Sequence, residues 1–597
     1  LSNYPTKASR LGNAVGLDTP ASAINLLNAM RDAGYTVEDI PEDGDALMRQ
    51  LIERCTYDAD FLTPEQMRNA EGRVSADEYA VQFKGIPQDV QDSMVADWGE
   101  PPGTVYTDDG HLFMAGLRLG NVFVGIQPPR GFGENPIAIY HSPELMPTHH
   151  YIAFYRWLRD GFGADAVVHL GKHGTLEWTP GKGVGLSRSC IPEVCLPDMP
   201  HFYPFIINNP GEGTQAKRRS HAVIIDHLVP AMTTADSYGD ITRCEQLMDE
   251  YARAQGMDPQ KLPMLRQQIW EVVQKARLNE DLNVHEIPDD FDDFILHIDG
   301  YICELKDAQI RDGLHTLGEA PESEMLIGLL LALTRLNNGD IPGLRQAIGD
   351  ALGIDYAEMM RDRSAAVIAD GLPAALVSAN GSEPIRSAGD VIERLETIAH
   401  TMYEQLADTA FDSENVERIA LDMLGESGDV PRVLRYVCES IYPALTKTTD
   451  EIDALLRGFD GRFISPGPAG APTRGMAGVL PTGRNFYSMD PRSIPSETSW
   501  QIGKELADSL VERYLTDEGE YPESVGISVW GTSAMRTHGD DISQILALIG
   551  VRPTWQEESR RVSGLEVIPL DELGRPRIDV TVRISGFFRD AFQNLIV

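Results

Sequence analysis

Cysteine is scarce in this chain, with six residues among 597. Their positions show none of the paired spacings typical of a disulfide framework or a zinc finger. Disulfide frameworks are common in secreted domains, whereas thiols stay reduced in the cytoplasm. The cysteine content therefore predicts a cytoplasmic protein without structural disulfides.

Positive charge is also scarce. Lys and Arg together number 51 against 91 Asp and Glu, giving a formal net charge of −40. Binding to a nucleic-acid backbone or to an anionic bilayer needs a basic surface. The charge balance therefore excludes nucleic acid and anionic membranes as the main partner, and it favours cations or basic faces of other proteins.

Long apolar runs are absent. The longest, at residues 325–333, is far shorter than the ~20 residues that a membrane-spanning helix needs, so we expect no membrane span. Apolar residues make up 42% and charged residues 24%, which is typical of globular domains. Since the chain starts at Leu1 and stops within an apolar pattern, we expect it to be a fragment of a longer protein that lacks both ends.

Several common catalytic motifs are missing as well. The sequence has no GxxxxGK[ST] loop, no strand-linked GxGxxG and no HExxH. Ser533, His538 and Asp540 follow a predicted strand, but without a GxSxG elbow they do not indicate a serine hydrolase. If the reaction consumes a nucleoside triphosphate, another subunit must bind it.

The order of strand-like and helical patterns predicts a multi-domain α/β fold with mostly parallel sheets flanked by helices. We expect an α/β region at residues 1–235, a mainly helical region at 236–465 that interrupts the fold, and an α/β region at 466–597 that is truncated at its C-terminal end. A Gly/Pro-rich stretch at 466–472 indicates a loop or boundary.

Individual elements can be placed from apolar spacing and capping residues. Asp18, followed by Thr-Pro, is typical of a helix start, and Gly34 of its end. The remaining predictions are strands at 122–126, 166–170, 202–207 and 525–530, and helices at 151–158, 245–253, 262–275, 324–336, 391–405, 499–514 and 542–549.

The densest potential chemistry follows the predicted strand at 166–170, in the string HLGKHGTLEW at residues 169–178. In open α/β sheets, ligands bind outside the carboxyl ends of the strands. His169, His173 and Glu177 could bind a divalent metal or transfer protons near neutral pH. The alternative is that His169 is a satisfied core histidine and Glu177 a surface charge.

A second cluster, NNPGEGTQAKRR, follows the predicted strand at 202–207 and is expected to open a helix that runs to about His227. Glu212 near the helix start is favoured by the helix dipole whether or not it is catalytic. Lys217 and Arg218 could bind anionic groups of a ligand or be solvated. Arg484, in a polar turn at 481–487, could also contact an anion, whereas the segments at 140–144 and 149–150 are expected at the surface.

Five strings together resemble the large subunit of ATP-dependent tetrapyrrole metal chelatases. They lie at residues 169–182, 204–227, 304–315, 483–488 and 573–579, so the resemblance extends along the whole chain. The family has a magnesium branch that acts on protoporphyrin and a cobalt branch that acts on a corrin ring. Gly-Glu-Gly at 211–213, where the magnesium branch typically has Ser-Glu, resembles the cobalt branch, as do residues 304–315 and 484–487.

The resemblance implies a large tetrapyrrole-binding subunit of an ATP-dependent cobaltochelatase, which inserts Co²⁺ into hydrogenobyrinic acid a,c-diamide in cobalamin biosynthesis. It further implies AAA+ partner subunits that hold ATP and Mg²⁺. On this basis His169, His173, Glu177 and Glu212 are expected to deliver the metal and remove ring protons, since imidazole and carboxylate suit both tasks. Lys217, Arg218 and Arg484 are expected to bind carboxylates on the ring periphery.

Two alternatives remain open at this point. One is a magnesium chelatase large subunit acting on protoporphyrin IX. The other is a scaffold that binds a tetrapyrrole without performing chemistry on it, because a binding module and a catalytic subunit need the same pocket.

Overall fold

The computed structural model of the chain describes most of its residues. It does not describe residues 3–9, 15, 132–141, 143, 172–173, 184, 231–242, 245–246, 249, 252–253, 255–258, 277, 282–283, 289–290, 292–293, 296–313, 362–366, 368–370, 380–384, 386–387, 488, 557–559 and 597. His173 therefore lies outside the described residues. Most of the segments at 140–144 and 304–315, and half or more of the predicted helix at 245–253, lie outside them too.

Helices make up the larger part of the described structure. In the first 235 residues they are α1 (Thr19–Asp32), α2 (Gly44–Arg54), α3 (Pro64–Arg68), α4 (Ala76–Lys84), α5 (Gln88–Trp98), α6 (His149–Trp157), α7 (Ile191–Cys195) and α8 (Pro210–Ser220). The middle of the chain contains α9 (Leu262–Lys275), α10 (Leu278–Asp281), α11 (Ser323–Thr334), α12 (Leu344–Ala351), α13 (Tyr356–Arg361), α14 (Ala374–Ser378), α15 (Ala388–Asp408), α16 (Val416–Leu424), α17 (Val430–Tyr436), α18 (Tyr442–Leu445) and α19 (Asp450–Phe459). The last part contains α20 (Glu497–Glu518), α21 (Gly531–Thr537), α22 (Asp540–Ile549), α23 (Leu570–Leu573) and α24 (Gly586–Ala591).

The described strands form several small sheets. They are β1 (Gly72–Ser75), β2 (Thr107–Asp108), β3 (His111–Met114), β4 (Gly116–Leu119), β5 (Val122–Gly125), β6 (Val167–Val168), β7 (His201–Ile206), β8 (Val223–His227), β9 (Pro466–Gly467), β10 (Asn485–Phe486), β11 (Ser524–Val529), β12 (Val551–Trp555), β13 (Val562–Val567) and β14 (Asp579–Ile584). Sheets β6-β7-β8, β9-β10 and β11-β14 are parallel, whereas β1-β3-β2, β4-β5 and β12-β13 are antiparallel. The chain is thus a mixed helix and strand fold, and the expectation of mostly parallel sheets is not confirmed.

The chain divides into two compact units. The larger contains Leu1–Val229, His315–Ser323 and Leu330–Val597, and the smaller contains Pro230–Leu314 and Glu324–Leu329. A buried cluster around Ile269 and Trp270 of α9 forms the core of the smaller unit. The three regions expected from the sequence stay a prediction. No described helix has both the length and the apolar character that crossing a membrane requires.

Apolar side chains cover both faces of the parallel sheet β6-β7-β8. Val167 packs into a cluster with Tyr151 and Tyr155 of α6, whereas its neighbour Val168 packs against a second cluster that includes Phe202. Successive side chains of a strand point to opposite faces, so this division follows from the strand itself. The sheet is thereby held between two cores, and its carboxyl edge is left for polar side chains.

Most predicted elements are confirmed. Asp18 Oδ1 accepts a hydrogen bond from Ala21 N at 3.0 Å and starts α1 as expected. The helix expected to run to about His227 is wrong, because α8 ends at Ser220. His221 then adopts the left-handed conformation (φ 51°), and the β-branched run that follows pairs with β7 as strand β8.

The surface position expected for residues 149–150 is also wrong. His149 and His150 form the first turn of α6, and both side chains are buried. His149 Nδ1 lies 3.0 Å from the hydroxyl of Tyr79, and His150 Nε2 lies 2.6 Å from Phe113 O. Hydrogen-bond partners from other segments allow the two imidazoles to lie in the core.

Candidate functional site

The sheet β6-β7-β8 brings the two predicted clusters to one edge. Strands β6 and β7 are parallel, so their carboxyl ends meet at the same edge. His169 follows β6 and continues its pairing, since its N–H donates to Phe202 O at 3.0 Å. Further along the chain, the single 3₁₀ turn Leu176–Trp178 bears Glu177. Strand β7 leads to α8, whose first turn bears Glu212.

His169 is a half-buried imidazole with one nitrogen in use. Its Nε2 lies 3.1 Å from the hydroxyl of Tyr155, and its Nδ1 has no hydrogen-bond partner among the described residues. The ring meets His201 edge to face, with centroids 4.3 Å apart. Burial, and secondarily the nearby His201, hold the pKa of His169 well below its ordinary value. His169 is therefore neutral near pH 7 and is not a fully satisfied core histidine.

Glu177 is a buried carboxyl, 1% exposed, so it is not a surface charge. Its Oε1 accepts a hydrogen bond from the Tyr203 hydroxyl at 3.3 Å, and its Oε2 has no partner among the described residues. Burial raises the pKa of Glu177 to about 8, and the negative charge of Glu212 contributes to the rise. A carboxyl with this pKa exchanges its proton near neutral pH.

The two atoms that lack a described hydrogen-bond partner, His169 Nδ1 and Glu177 Oε2, both lie close to Gly174. A Cβ atom placed on Gly174 would lie 3.1 Å from Tyr203 Oη, 3.3 Å from His169 Nδ1 and 3.4 Å from Glu177 Oε2. Gly174 N also donates a hydrogen bond to Tyr203 Oη. A side chain at this position would crowd all three atoms, so the imidazole and the carboxyl approach each other beside a glycine, and we call this junction the recess.

Glu212 lies on the other side of the site, in the first turn of α8. Its N–H reaches Asn209 Oδ1 at 3.5 Å, which caps the helix. The glycines on either side of it allow close packing: Gly213 lies against the ring of Phe486, and a Cβ on Gly211 would be 3.0 Å from Thr532 Cγ2. Glu212 is therefore fixed between two other segments of the chain.

Two buried arginines hold the backbone that bears Glu177. Arg219 donates from Nε to Glu177 O at 3.2 Å and also donates to the carbonyls of Thr179 and Lys182. Arg130 donates from Nη1 to Trp178 O at 2.9 Å. Both arginines are almost fully buried. Hydrogen bonds from a guanidinium group are strong, so these contacts restrict the turn around Glu177.

The three residues predicted to contact ring carboxylates differ in surroundings. Lys217 Nζ donates to Asn485 Oδ1 and to Phe486 O, each at 2.7 Å. Arg484 donates from its backbone N–H to Asp226 Oδ1 at 2.7 Å and from Nη2 to Val479 O. Arg218 is exposed. Two of the three cations thus already have protein partners, and their contact with a ligand stays a prediction.

The metal set of four residues is only partly described. His173 lies outside the described residues. Among the described residues, no group of three or more His, Cys, Asp or Glu side chains is arranged to hold a metal ion. The structure brings His169 and Glu177 together at the recess, and it places Glu212 close enough to raise the pKa of Glu177.

Sequence reasoning missed Tyr203, His201 and Arg219. Tyr203 and His201 belong to a strand that was recognised only by its apolar pattern, although side chains with polar tips in a fully buried strand are a signal. Arg219 directly follows Lys217 and Arg218, and the three form one basic run in the sequence. Nothing in the local sequence distinguishes a buried arginine from an exposed one at the next position.

The chain matches the CobN/Magnesium Chelatase family over residues 1–597. It is 45% identical over 606 residues to the aerobic cobaltochelatase subunit CobN of Pseudomonas aeruginosa, which covers 100% of this chain and 47% of that protein. The Sinorhizobium sp protein of the same name is 43% identical over 620 residues, with coverage of 100% and 47%. A magnesium-chelatase subunit of Chlorobaculum parvum is 30% identical over 603 residues, with coverage of 100% and 45%.

A solved structure is similar as well. The catalytic subunit of cobaltochelatase from Mycobacterium tuberculosis is 48% identical and superposes with a TM-score of 0.71, covering 100% of this chain and 48% of that one. The chain therefore spans about half the length of the relatives it matches. The match over the full length of this sequence shows that the chain belongs to the CobN/magnesium chelatase family.

Proposed function

We propose that this chain forms part of the large, tetrapyrrole-binding subunit of an ATP-dependent cobaltochelatase, which inserts Co²⁺ into hydrogenobyrinic acid a,c-diamide during cobalamin biosynthesis. The observation that carries the proposal is the recess beside Gly174, where His169 Nδ1 and Glu177 Oε2 lie at the carboxyl edge of a parallel sheet. Identities of 45% and 43% to cobaltochelatase subunits, against 30% to a magnesium-chelatase subunit, favour cobalt.

Metal insertion must remove protons from ring nitrogens and replace water on the ion. We assign proton removal to Glu177, because a general base works best when its pKa lies near the working pH, and burial raises the pKa of Glu177 to about 8. The neutral imidazole of His169 offers a lone pair to a cation.

Four residues form the proposed metal-delivery set: His169, His173, Glu177 and Glu212. Imidazole and carboxylate bind divalent first-row ions, yet a mixed set exposed to an incoming ring nitrogen can release the ion again. Glu212 and the ionised form of Glu177 place negative charge beside the neutral imidazole of His169, which favours a divalent cation at this site.

Lys217, Arg218 and Arg484 are proposed to bind the peripheral carboxylates of the ring. Arg218 is exposed and can turn towards a ligand, whereas Lys217 would have to share its ammonium group between Asn485 and the ligand. Charged pairs of this kind give orientation as well as affinity.

The remaining parts of the reaction are assigned to partners. We propose that AAA+ subunits of the complex hold ATP and Mg²⁺, since the sequence has no phosphate-binding loop of its own. We further propose that the complex is cytoplasmic. The net charge of −40 offers basic faces of such subunits a surface to bind.

The test is the Glu177→Gln substitution in the full chain, assayed with its partner subunits, ATP, Co²⁺ and metal-free hydrogenobyrinic acid a,c-diamide. We expect ring binding, measured by absorbance titration, to be retained and the insertion rate to fall at least ~100-fold, because a positioned base contributes about that much. Glu520→Gln, at an exposed position, is the matched control and should insert cobalt at the normal rate.

A normal insertion rate in the Glu177→Gln variant would remove this carboxyl from the mechanism. Loss of ring binding would instead make it a residue of the binding surface. Tighter binding of protoporphyrin IX than of the corrin precursor by the unmodified chain would contradict the cobalt assignment and favour the magnesium branch.

A further inference from the structure

Three of the exposed aromatic side chains in the larger unit belong to segments around the candidate site. Trp530 is 62% exposed, Tyr487 52% and Trp178 43%. The chain has seven tryptophans, and the other five are buried or half-buried. Single exposed apolar residues are common on proteins and need no explanation. The positions of these three are informative because each lies next to a segment that builds the candidate site.

Trp178 directly follows Glu177 in the 3₁₀ turn. Its N–H donates to Thr175 O at 3.2 Å and its carbonyl accepts from Arg130 at 2.9 Å. The backbone of Trp178 is therefore fixed at both peptide groups while its indole remains in solvent. Rigid placement of an exposed ring lowers the entropy that a ligand would have to remove on binding.

Tyr487 follows β10 at the point where that strand meets α8. The ring of the preceding residue, Phe486, lies against Gly213, and the carbonyl of Phe486 accepts from Lys217 Nζ. Tyr487 N donates to Gly467 O at 2.9 Å, which fixes its own backbone. Tyr487 is thus an exposed residue one position beyond the contact between Phe486 and the helix that bears Glu212.

Trp530 lies on the opposite flank of Glu212. It connects strand β11 to helix α21, and Thr532, two residues later, is the residue that a Cβ on Gly211 would meet at 3.0 Å. Glu212 therefore lies between Gly213, next to the segment of Tyr487, and Gly211, next to the segment of Trp530. Three distant parts of the sequence therefore each carry one exposed aromatic residue within two positions of Glu177 or of a residue that packs beside Glu212.

We propose that Trp178, Tyr487 and Trp530 form an aromatic rim around the Glu177 and Glu212 site, and that the rim contacts the conjugated macrocycle of the tetrapyrrole. The inference rests on the proposed function and adds the residues that bind the ring's flat, apolar part. Aromatic side chains stack on, or meet edge to face, other π systems, and a macrocycle offers a broad π surface. The basic residues would contact its carboxylates, and the rim its faces and edges.

The test measures binding of metal-free hydrogenobyrinic acid a,c-diamide to the full chain by absorbance titration and tryptophan fluorescence quenching. Trp178→Ala, Tyr487→Ala and Trp530→Ala are each expected to weaken ring binding about two- to tenfold. Trp178→Phe and Trp530→Phe should recover most of the lost affinity. Since the rings are exposed, thermal unfolding should not change. Phe61→Ala removes a 71% exposed ring far along the chain from these segments and should bind the ring normally.

Binding of Co²⁺ alone, measured by calorimetry, should be the same in all variants, because the rim has no metal ligand. If the unmodified chain binds the tetrapyrrole and all three alanine variants bind it equally well, the proposal that the aromatic rim contacts it is wrong. The proposed function would be unaffected. Equal weakening in Phe61→Ala would also overturn the rim, as a non-specific surface effect. Failure of the unmodified chain to bind any tetrapyrrole would overturn both.

Discussion

Two glutamates in the larger unit are almost completely buried and yet differ in every other respect. Glu177 is 1% exposed and Glu451 is 0% exposed. Glu451 accepts four hydrogen bonds: from His315 Nε2 at 2.7 Å, Thr482 Oγ1 at 2.6 Å, Leu228 N at 2.8 Å and Gly318 N at 3.0 Å. Glu177 accepts one described side-chain hydrogen bond and leaves Oε2 without a described partner.

The pKa values follow this difference. Burial alone would raise the pKa of Glu451, but the charge and hydrogen bond of His315, with help from His227 and Thr482, outweigh burial and lower it. At Glu177 burial dominates and raises the pKa to about 8. The same residue type at the same depth is therefore an ionised structural group in one place and a proton-exchanging group in the other.

The contrast shows how burial should be interpreted in this fold. A buried carboxylate whose oxygens are all engaged joins segments that are distant in sequence, as Glu451 joins residues 228, 315, 318 and 482. A buried carboxyl with an unused oxygen is unfavourable for stability, so its presence needs another reason. We take that reason to be the chemistry of the recess beside Gly174.

The largest expected loss of stability comes from disrupting the four hydrogen bonds that Glu451 accepts. Glu451→Gln places an amide N–H₂ among donors, which leaves buried donors unpaired, and should lower the free energy of unfolding by about 3–5 kcal/mol. Glu177→Gln is the matched control, since its amide oxygen can still accept from Tyr203, and it should change stability by less than about 1 kcal/mol. Urea denaturation of the two variants checks this. An equal loss in both would contradict the distinction between the clusters.

A second expected effect depends on pH and concerns Asp226, a buried carboxyl next to the Glu451 cluster. Burial raises its pKa from 3.8 to about 8, while Arg484 N–H opposes the shift by donating to Oδ1. A raised pKa in the folded state gives stability that is complete below about pH 4 and is lost as pH rises towards 8. Asp226→Asn removes this ionisation and keeps an acceptor for Arg484 N–H.

As pH rises across this window, the free energy of unfolding of Asp226→Asn, relative to that of the unmodified chain, should therefore increase by about 1.4 kcal/mol per pH unit. Urea denaturation at pH 4.5, 6 and 7.5 measures the difference. A constant difference at all three pH values would show that Asp226 does not titrate there. An increasing advantage of the unmodified chain with pH would contradict the sign of the argument.

Much of the fold could be predicted from local pattern. The cap at Asp18, the helix at 151–158 and the strand at 525–530 follow from residues close in sequence, and each is confirmed to within a few residues. The helix expected to continue to His227 fails because strand β8 is stabilised by pairing with β7, an interaction between distant residues that local helical spacing does not reveal.

The candidate site was predictable in part for the same reason. His169, Glu177 and Glu212 could be selected because each lies near the end of a predicted strand or after it, and parallel strands bring their ends together. Tyr203 was not selected, because its role depends on the hydroxyl meeting Gly174 N and Glu177 Oε1 across the sheet. The four donors to Glu451 come from segments up to 223 residues away from it, so no local pattern could indicate them.

The smallest expected change in stability, and the sharpest test of the contrast, is Gly174→Ala. Gly174 has no positive φ, so alanine fits its backbone, and the added methyl group would lie 3.1–3.4 Å from Tyr203 Oη, His169 Nδ1 and Glu177 Oε2. Reduced freedom of the unfolded chain and slight crowding oppose each other, so stability should change by less than about 1 kcal/mol. The methyl group would nevertheless lie against His169 Nδ1 and Glu177 Oε2, so Co²⁺ binding, measured by calorimetry, and cobalt insertion should both be lost.

Gly183→Ala, where an added Cβ meets no atom within 4 Å, is the control and should retain both. Normal cobalt binding by Gly174→Ala would mean that His169 and Glu177 do not act through this recess. Glu177 and Glu451 would then differ only in what each carboxyl group contributes to the stability of the fold.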